Sequence, residues 1–296
     1  MMGKSLSSGL SKRLRLRLGL RRTILLSFFF LINLPFGCYF KSNESMVVRI
    51  KGSDTMYKLT SMLANEFMKN NPSFSVYVEG GGTKTGIDAL SKGRIDICTA
   101  SRLPKSEEVK TLADEFGSIG VSTLVAKDGL SIYLNHENPI KNLSLNEVKN
   151  IFSGKITNWK DVGGEDNTIH VFSRSPNSGT YLYLKEHVLL NDDYFNDAEI
   201  KTTTDEIVDA VAKDKNATGY GGIGYGENIF HSSINNIRPS EENIRNESYP
   251  ITRYLFFITR NNPDGLSKKF IDWVLSNDGQ LMVKKAGFIS LWDRRY

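Results

Sequence analysis

Four short segments of the sequence place small hydroxylated residues or an arginine directly after a strand-like run. They are Gly52-Ser53-Asp54-Thr55, Gly81-Gly82-Thr83-Lys84-Thr85-Gly86, Ala100-Ser101-Arg102 and Arg174-Ser175-Pro176-Asn177-Ser178-Gly179-Thr180. In three of them a helix-like stretch follows. The N–H groups at a helix N-terminus, with hydroxyls beside them, favour anions, and an arginine adds a planar fork that matches an oxyanion. The four segments together therefore predict an anion site.

Each segment has a simpler interpretation when it is taken alone. Serine, threonine, aspartate and glycine at the start of a helix are typical caps, and a single arginine at the end of a strand is typical of a surface ion pair. Four such segments at strand ends favour the ligand-binding interpretation, because open α/β sheets bind ligands beyond the carboxyl ends of their strands.

The elements that must position these segments alternate along the chain. The apolar spacing predicts strands at residues 47–50, 74–78, 95–98, 121–126, 130–134, 169–173 and 254–258, and helices at residues 56–67, 87–91, 145–152, 181–190, 266–275 and 279–285. Acidic pairs such as Glu107-Glu108 are expected on solvated faces. This alternation is typical of an α/β fold with helices on both faces of the sheet, and about 250 such residues predict two lobes.

The positive charge of the protein is concentrated at its N-terminus. The chain of 296 residues has a net charge of +5, but residues 1–38 contain seven basic residues and no acidic one. The remainder has 31 basic and 33 acidic residues. A body of this charge gives little attraction for a polyanion, so nucleic acid is not an expected partner.

The N-terminal segment is predicted to be an export signal. After the basic residues an apolar run at 23–36 is about 14 residues long, short of the roughly 20 that span a membrane. Gly37-Cys38 resembles the lipobox of bacterial lipoproteins, although Pro35-Phe36 departs from it; an ordinary cleaved signal or an uncleaved anchor stays open. We expect a signal at residues 1–38, lipidation of Cys38, a tether at 39–45 and a body outside the cytoplasm.

Other functional motifs are incomplete. Gly219-x-Gly221-x-x-Gly224 matches a dinucleotide fingerprint as a string, but no amphipathic helix follows it. The glycine-rich turn at 81–86 lacks the lysine of a P-loop. The four histidines lack metal-ligand spacing, and Ser178 has no local base to activate it. We therefore expect no cofactor, no metal and no enzymatic activity.

Several motifs together resemble one family. Besides the four segments, these are Ile151-Phe152-Ser153-Gly154-Lys155-Ile156-Thr157-Asn158-Trp159, Ala217-Thr218-Gly219-Tyr220-Gly221-Gly222-Ile223-Gly224 and Tyr249-Pro250-Ile251. In this order, across residues 47–292, they resemble the phosphate-binding protein of bacterial ABC-type phosphate uptake systems. The resemblance implies a two-lobed periplasmic-binding-protein (Venus flytrap) fold of type II, with two crossover hinge segments. It also implies a receptor that closes on phosphate and presents it to a membrane permease.

The resemblance assigns the phosphate ligands by motif, as Ser53, Asp54, Thr55, Thr83, Arg102, Arg174, Ser178, Gly179 and Thr180. Some members of the family have a carboxylate in place of Arg102, and it accepts the proton of HPO₄²⁻. Such an acceptor separates phosphate from fully ionised sulfate. Asp54 is our candidate for that role, with a plain helix N-cap as the alternative.

The resemblance also implies how the chain divides. We expect one lobe at residues 46–134 with 248–296, a second at 135–247, and crossings near residues 131–135 and 249–254. The protein is expected to be a monomer that contacts the membrane through the lipid. Two alternatives stay open: the same fold binding sulfate, molybdate or tungstate, and a surface protein for adhesion or signalling.

Overall fold

Strands and helices alternate along the part of the chain that the structure describes. A computed structural model describes residues 46–292. The predicted signal at 1–38, its Cys38 and the tether at 39–45 lie outside these residues. The first part contains β1 (Val47–Gly52), α1 (Asp54–Asn70), β2 (Ser75–Glu79), α2 (Thr83–Ser91), β3 (Ile97–Ala100) and α3 (Ser106–Phe116).

The remaining elements include the longest strand and several short ones. They are β4 (Val121–Leu134), β5 (Asn142–Leu143), α4 (Leu145–Phe152), a 3₁₀ turn (Trp159–Val162), β6 (His170–Arg174), α5 (Gly179–His187), β7 (Glu199–Lys201), α6 (Thr204–Lys213), β8 (Ala217–Gly222), β9 (Phe230–His231), β10 (Ser233–Ile234), α7 (Glu241–Arg245), β11 (Thr252–Thr259), α8 (Gly265–Val274) and α9 (Asn277–Lys285).

One mixed sheet organises the described residues. Its strand order is β2-β1-β3-β11-β4-β8-β6-β7, with β9 paired to β4. Strands β1, β2 and β3 are parallel, as are β6, β7 and β8, whereas β11 runs antiparallel to β3 and β4. We call β2, β1, β3 and β11, together with the helices and loops that follow these strands, the first sheet half. We call β8, β6 and β7, with the helices and loops that follow them, the second sheet half. Parallel strands joined by helices agree with the predicted α/β class.

Strand β4 joins the two sheet halves. It pairs with β11 from Val121 to Gly129 and with β8 from Leu130 to Leu134. The sequence predicted two strands here, at 121–126 and 130–134, and that prediction was wrong. The polar residues between them continue the strand, because Asp128 lies opposite Arg253 of β11 and forms an ion pair with it.

Two large apolar cores pack against the sheet, and the larger one contains residues of both sheet halves. In α1 the spacing of Leu59, Leu63 and Phe67 places one helical stripe against the sheet, and all three are buried. The Phe67 ring packs edge-on against Phe270 of α8. The second core contains Trp159, which is 2% exposed. Replacing a fully buried leucine such as Leu63 with alanine costs about 2–5 kcal/mol of stability. Packing of this strength holds in place the strand ends that carry the polar segments.

Three described helices that the sequence analysis did not predict, α3, α6 and the short α7, also belong to the fold. In α3 only Glu108 and Leu112 are buried, although Val109, Leu112, Ala113 and Phe116 recur at helical spacing. Glu108 was expected on a solvated face; it is 8% exposed and paired with Arg102. Within residues 46–292 there is no helix that is both long enough and apolar enough to cross a bilayer.

Candidate functional site

Three helix N-termini from the two sheet halves meet at one place. Helices α1 and α2 begin after strands of the first half, and α5 begins after β6 of the second half. The hydroxyl oxygens of Thr55 on α1 and Thr180 on α5 are 2.7 Å apart. Helix N-termini carry partial positive charge, so this convergence creates a favourable position for an anion.

Gly179 allows a close approach between the halves. A Cβ atom at this position would lie 2.4 Å from Thr83 Oγ1 and 2.5 Å from Ser101 Oγ. On the opposite side, a Cβ at Gly82 would lie 2.6 Å from the backbone oxygen of Asn177, to which Lys84 N donates. Both glycines are therefore required by the space between the two chain segments.

Arg174 ends strand β6 and is almost completely buried, at 1% exposure. Its Nη1 donates to Thr204 Oγ1, at 3.0 Å. Its Nη2 donates to the backbone oxygen of Thr202 at 2.8 Å and to Asp54 Oδ2 at 2.7 Å. The guanidinium is thus held by the second sheet half and reaches a carboxylate of the first half.

Asp54 occupies the first turn of α1 and accepts from two directions. Its Oδ1 accepts the backbone N–H of Gly81 at 2.7 Å, and its Oδ2 accepts from Arg174. The side chain does not cap its own helix, because both bonds lead away from α1. The predicted role as acceptor for the phosphate proton stays a prediction.

A tyrosine hydroxyl supports the backbone at Arg174. Tyr220 Oη accepts the backbone N–H of Arg174 at 3.2 Å and donates to Tyr194 Oη. It also bonds Ser173 Oγ at 2.9 Å. Burial raises the pKa of Tyr220, so the phenol stays protonated and its donor bond persists.

The two predicted serines both occupy N-cap positions, but only Ser178 caps its helix with its side chain. Ser178 Oγ accepts the N–H groups of Thr180 and Tyr181, which makes it the N-cap of α5. Ser53 precedes α1, and within the described chain its side chain makes no capping hydrogen bond; its backbone N–H donates to Thr99 O. The α1 amide groups therefore have no acceptor from their own N-cap side chain.

Arg102 is oriented mainly by Glu108 of α3. Its Nη1 and Nη2 each donate to a Glu108 oxygen at 2.7 Å, and both side chains are buried. Burial alone would raise the pKa of Glu108, but the Arg102 hydrogen bonds and the Lys105 amide outweigh it and lower that pKa. In the described chain both Nη atoms of Arg102 bond Glu108, and neither bonds Asp54 or Arg174. The predicted role of Arg102 as a phosphate ligand stays a prediction.

Buried polar atoms without partners mark the same region. Among the described residues, Ser101 Oγ, Arg174 Nε and Arg102 Nε make no hydrogen bond, although each is shielded from solvent. Unsatisfied buried donors cost about 1–3 kcal/mol each. Ser101 lies beside Gly179 and Thr83, where an anion would supply acceptors.

Comparisons with known proteins assign the chain to a protein family. A sequence profile described as the PBP superfamily domain matches residues 41–278. The phosphate-binding protein PstS of Pseudomonas aeruginosa is 30% identical over 263 residues, which are 81% of each chain. The PstS of Bacillus subtilis is 30% identical and covers 83% of this chain and 81% of its own. This chain belongs to the PstS family of the PBP superfamily.

Solved structures agree with membership of the PstS family. A protein of Clostridium perfringens, solved with bound phosphate and assigned as a phosphate ABC transporter substrate-binding protein, has a TM-score of 0.78 and 30% identity. That similarity covers 83% of this chain and 100% of the other. An ABC-type phosphate transport receptor of Vibrio cholerae has a TM-score of 0.68 and 27% identity over 82% and 99% of the two chains. The two-lobed α/β fold expected from the sequence is therefore confirmed.

Sequence reasoning missed two kinds of residue that this PstS-family chain places at the site. Ser101 stood inside a quoted motif but was not selected. Arg253 and Asp128 were also missed; their ion pair lies behind Thr55 and Thr180. The motif Tyr249-Pro250-Ile251 ends two residues before Arg253, which was the available signal.

The remaining motifs have structural explanations. Gly219 and Gly221 lie in strand β8, where their missing side chains leave space for Ile207 and Tyr133, so the string is not a dinucleotide turn. Within residues 46–292, histidine, cysteine and acidic residues form no group of three or more that could hold a metal ion. His170 pairs with Asp214 at 2.5 Å on an exposed strand end.

Proposed function

We propose that this protein captures inorganic phosphate between its two sheet halves and delivers it to the permease of an ABC transporter. The observation that carries the proposal is the meeting of α1, α2 and α5 N-termini around the buried Arg174. The relatives named phosphate-binding protein PstS, and the relative solved with phosphate, support the choice of anion.

Phosphate fits this arrangement better than a fully ionised oxyanion does. At neutral pH phosphate still has a proton to donate, and Asp54 offers carboxylate oxygens beside Arg174. Sulfate has no proton at that pH, so a nearby carboxylate would repel it without a compensating hydrogen bond. The same fold binding sulfate, molybdate or tungstate is therefore the less favoured alternative.

Closure of two lobes is the proposed mechanism. The lobes comprise residues 46–134 with 248–296 and residues 135–247, with β4 and β11 as the connections. The Asp54–Arg174 and Thr55–Thr180 contacts cross between the sheet halves. Such contacts form when the lobes close, and closure removes water from the bound anion. The proposed role of the protein is binding, without a catalytic step.

The cellular setting follows from the same proposal. A receptor that feeds a permease works outside the cytoplasm, and we propose that a signal at residues 1–38 exports this one. Lipid on Cys38 would then anchor it to a membrane through the tether at 39–45. We propose a monomer, because one lobe pair supplies the whole candidate site.

Equilibrium dialysis of the purified protein against radiolabelled phosphate tests the proposal. The wild-type protein is expected to retain one phosphate per chain, with excess unlabelled phosphate displacing the label and sulfate leaving it bound. The Thr60→Val variant serves as a control, because Thr60 is buried on α1 but makes no polar contact among the described residues. Failure of the wild-type protein to retain phosphate would refute the proposed function.

A further inference from the structure

Arg253 is a second buried arginine beside the candidate site. It lies on β11, is 1% exposed, and its Nε and Nη2 donate to Asp128 Oδ2 at 2.9 and 2.7 Å. Its other bonds lead towards the helix N-termini. Nη1 donates to Thr180 Oγ1 at 2.9 Å, and Nη2 approaches Thr55 Oγ1 at 3.4 Å.

The position of this ion pair in the sheet links it to both halves. Arg253 and Asp128 are directly opposite each other in the β11–β4 ladder, two residues before Leu130, where β4 begins to pair with β8. Asp128 Oδ1 also accepts the backbone N–H of Ile223, which follows β8 of the second half. A charge buried this deeply is tolerated because its partner and hydrogen bonds are fixed. The guanidinium therefore has one well-defined orientation.

That orientation constrains the two threonine hydroxyls. A hydroxyl has one proton to donate and two lone pairs to accept with, whereas a guanidinium can only donate. Arg253 therefore uses a lone pair on both Thr180 and Thr55, which are also 2.7 Å from each other. One hydroxyl proton is shared within the threonine pair. The second proton is left to donate to another acceptor.

We propose that Arg253 is a positioning residue for phosphate binding, which holds the Thr55–Thr180 pair so that it presents a hydroxyl donor to the anion. The inference rests on the proposed function. Because Thr55 belongs to the first sheet half and Thr180 to the second, Arg253 completes this arrangement only when the two halves meet. Arg253 thereby connects the strands between the lobes to the anion site without being a ligand itself.

The first test separates the hydroxyls from general packing. Thr55→Val and Thr180→Val remove each hydroxyl with little change in shape, and each is expected to weaken phosphate binding by about tenfold or more. Thr60→Val makes the same change on α1 away from Arg253 and is expected to bind as the wild type does. Titration calorimetry with inorganic phosphate gives the dissociation constants.

The second test is a double-mutant cycle between Arg253 and Thr180. Arg253→Lys keeps a positive charge for Asp128, so the variant is expected to fold, but an ammonium group cannot bond Asp128 and both hydroxyls in the same geometry. We expect Arg253→Lys to weaken phosphate binding about tenfold alone. In the Thr180→Val background it should add much less, since the hydroxyl that it positions is absent.

The outcomes distinguish this inference from the proposed function. Coupled effects on phosphate affinity, in variants whose melting temperatures match, would support Arg253 as a positioning residue. Independent effects that multiply, or a wild-type affinity for Arg253→Lys, would overturn it while leaving phosphate binding in place. Absence of phosphate binding by the wild-type protein would instead remove the proposed function on which the inference rests.

Discussion

The guanidinium of Arg174 forms hydrogen bonds with residues of both sheet halves. It is bonded by Thr202 and Thr204 on one side and by Asp54 on the other, and its Nε remains without a partner in the described chain. A donor that is already oriented and desolvated loses little freedom when it binds an anion. We therefore expect Arg174 to contribute strongly to phosphate affinity.

Replacing Arg174 with alanine should weaken phosphate binding by about 1.5–3 kcal/mol or more, the range for a charged hydrogen bond. The Arg174→Lys variant keeps the charge but loses the planar fork, so its affinity should fall between those of the wild type and Arg174→Ala. Calorimetric titration with phosphate measures all three proteins. A near-wild-type affinity for Arg174→Ala would exclude Arg174 from the site.

The Asp54→Asn variant tests the discrimination between oxyanions. An amide in place of the carboxylate loses an acceptor and directs N–H groups at either Arg174 or Gly81, both of which are donors. Phosphate binding should weaken by about tenfold or more, while sulfate binding stays absent or improves. Competition dialysis with both anions measures the change. Equal losses for the two anions would contradict a role for Asp54 in selectivity.

At the residue scale, the sequence predicted side chains that lie in local motifs and missed those joined by distant contacts. Asp54 and Arg174 each stand in a recognisable strand-end segment, and the structure pairs them. Arg253 and Asp128 are 125 residues apart, and no local sequence pattern predicts their pairing. The buried ion pair of Arg102 with Glu108 was missed as well, because each charged side chain taken alone is typical of a solvated surface.

The elements around the site act through their ends. Helix α5 approaches α2 so closely that Gly179 must lack a side chain. A Gly179→Ala change should therefore hold the halves apart and lower phosphate affinity by about 1–3 kcal/mol, the usual cost of overpacking. The melting temperature of the phosphate-free protein should change little, because each core is untouched. Calorimetry and thermal unfolding measure these two quantities.

Gly117→Ala is a control variant that should change stability but leave phosphate affinity unchanged. Gly117 ends α3 with a φ of +64°, and a Cβ there would meet no atom within 4 Å. Alanine is strained at that φ, so the free energy of unfolding should fall by about 1 kcal/mol while phosphate affinity is unchanged. If both glycine variants affected affinity and stability alike, closure of the halves would not explain the Gly179 result.

The contribution of helix α3 to the free energy of unfolding is expected to depend on pH through Glu108. Arg102 lowers the pKa of this buried carboxyl despite its desolvation, so its contribution to stability is present above the ordinary glutamate pKa and is lost as pH falls through the lowered value. Glu108→Gln should therefore lose about 1–3 kcal/mol at pH 7. Urea unfolding at several pH values should show the difference from wild type shrinking under strongly acidic conditions; a constant difference would contradict the assignment.

Among the helices and strands, regular apolar spacing predicted elements correctly, whereas polar residues inside a strand led to a wrong prediction of its end. The spacing of Leu59, Leu63 and Phe67 correctly indicated α1. The Lys127-Asp128-Gly129 stretch resembled a break, yet β4 continues through it because Asp128 is paired across the ladder. Tertiary partners decide such positions, and a local pattern contains no information about them.

At the scale of the whole molecule, the alternation of strands and helices was enough to predict the α/β class. The joining of both halves into one sheet through β4 was not predicted. That continuity depends on pairings between β4, β11 and β8, which are far apart in the sequence. The division into lobes at residues 46–134 with 248–296 and 135–247 stays a proposal.

Membrane attachment is testable in the whole cell. If Cys38 carries the lipid, Cys38→Ala should move the protein from the membrane fraction to the soluble fraction and abolish incorporation of labelled fatty acid. Cys98→Ala is the matched control, because Cys98 is fully buried in β3 and burial raises the pKa of its thiol, which keeps it unreactive. Membrane association of the Cys38 variant, with the label retained, would contradict lipidation at this position.

We propose above that the two halves of this molecule enclose phosphate selectively. Titration calorimetry of the purified, ligand-free protein with phosphate and then sulfate at pH 7 tests it most directly. We expect tight binding of one phosphate per chain and no heat from sulfate. Equal binding of sulfate would contradict the role of Asp54 as proton acceptor, and silence from both anions would contradict the proposed function itself.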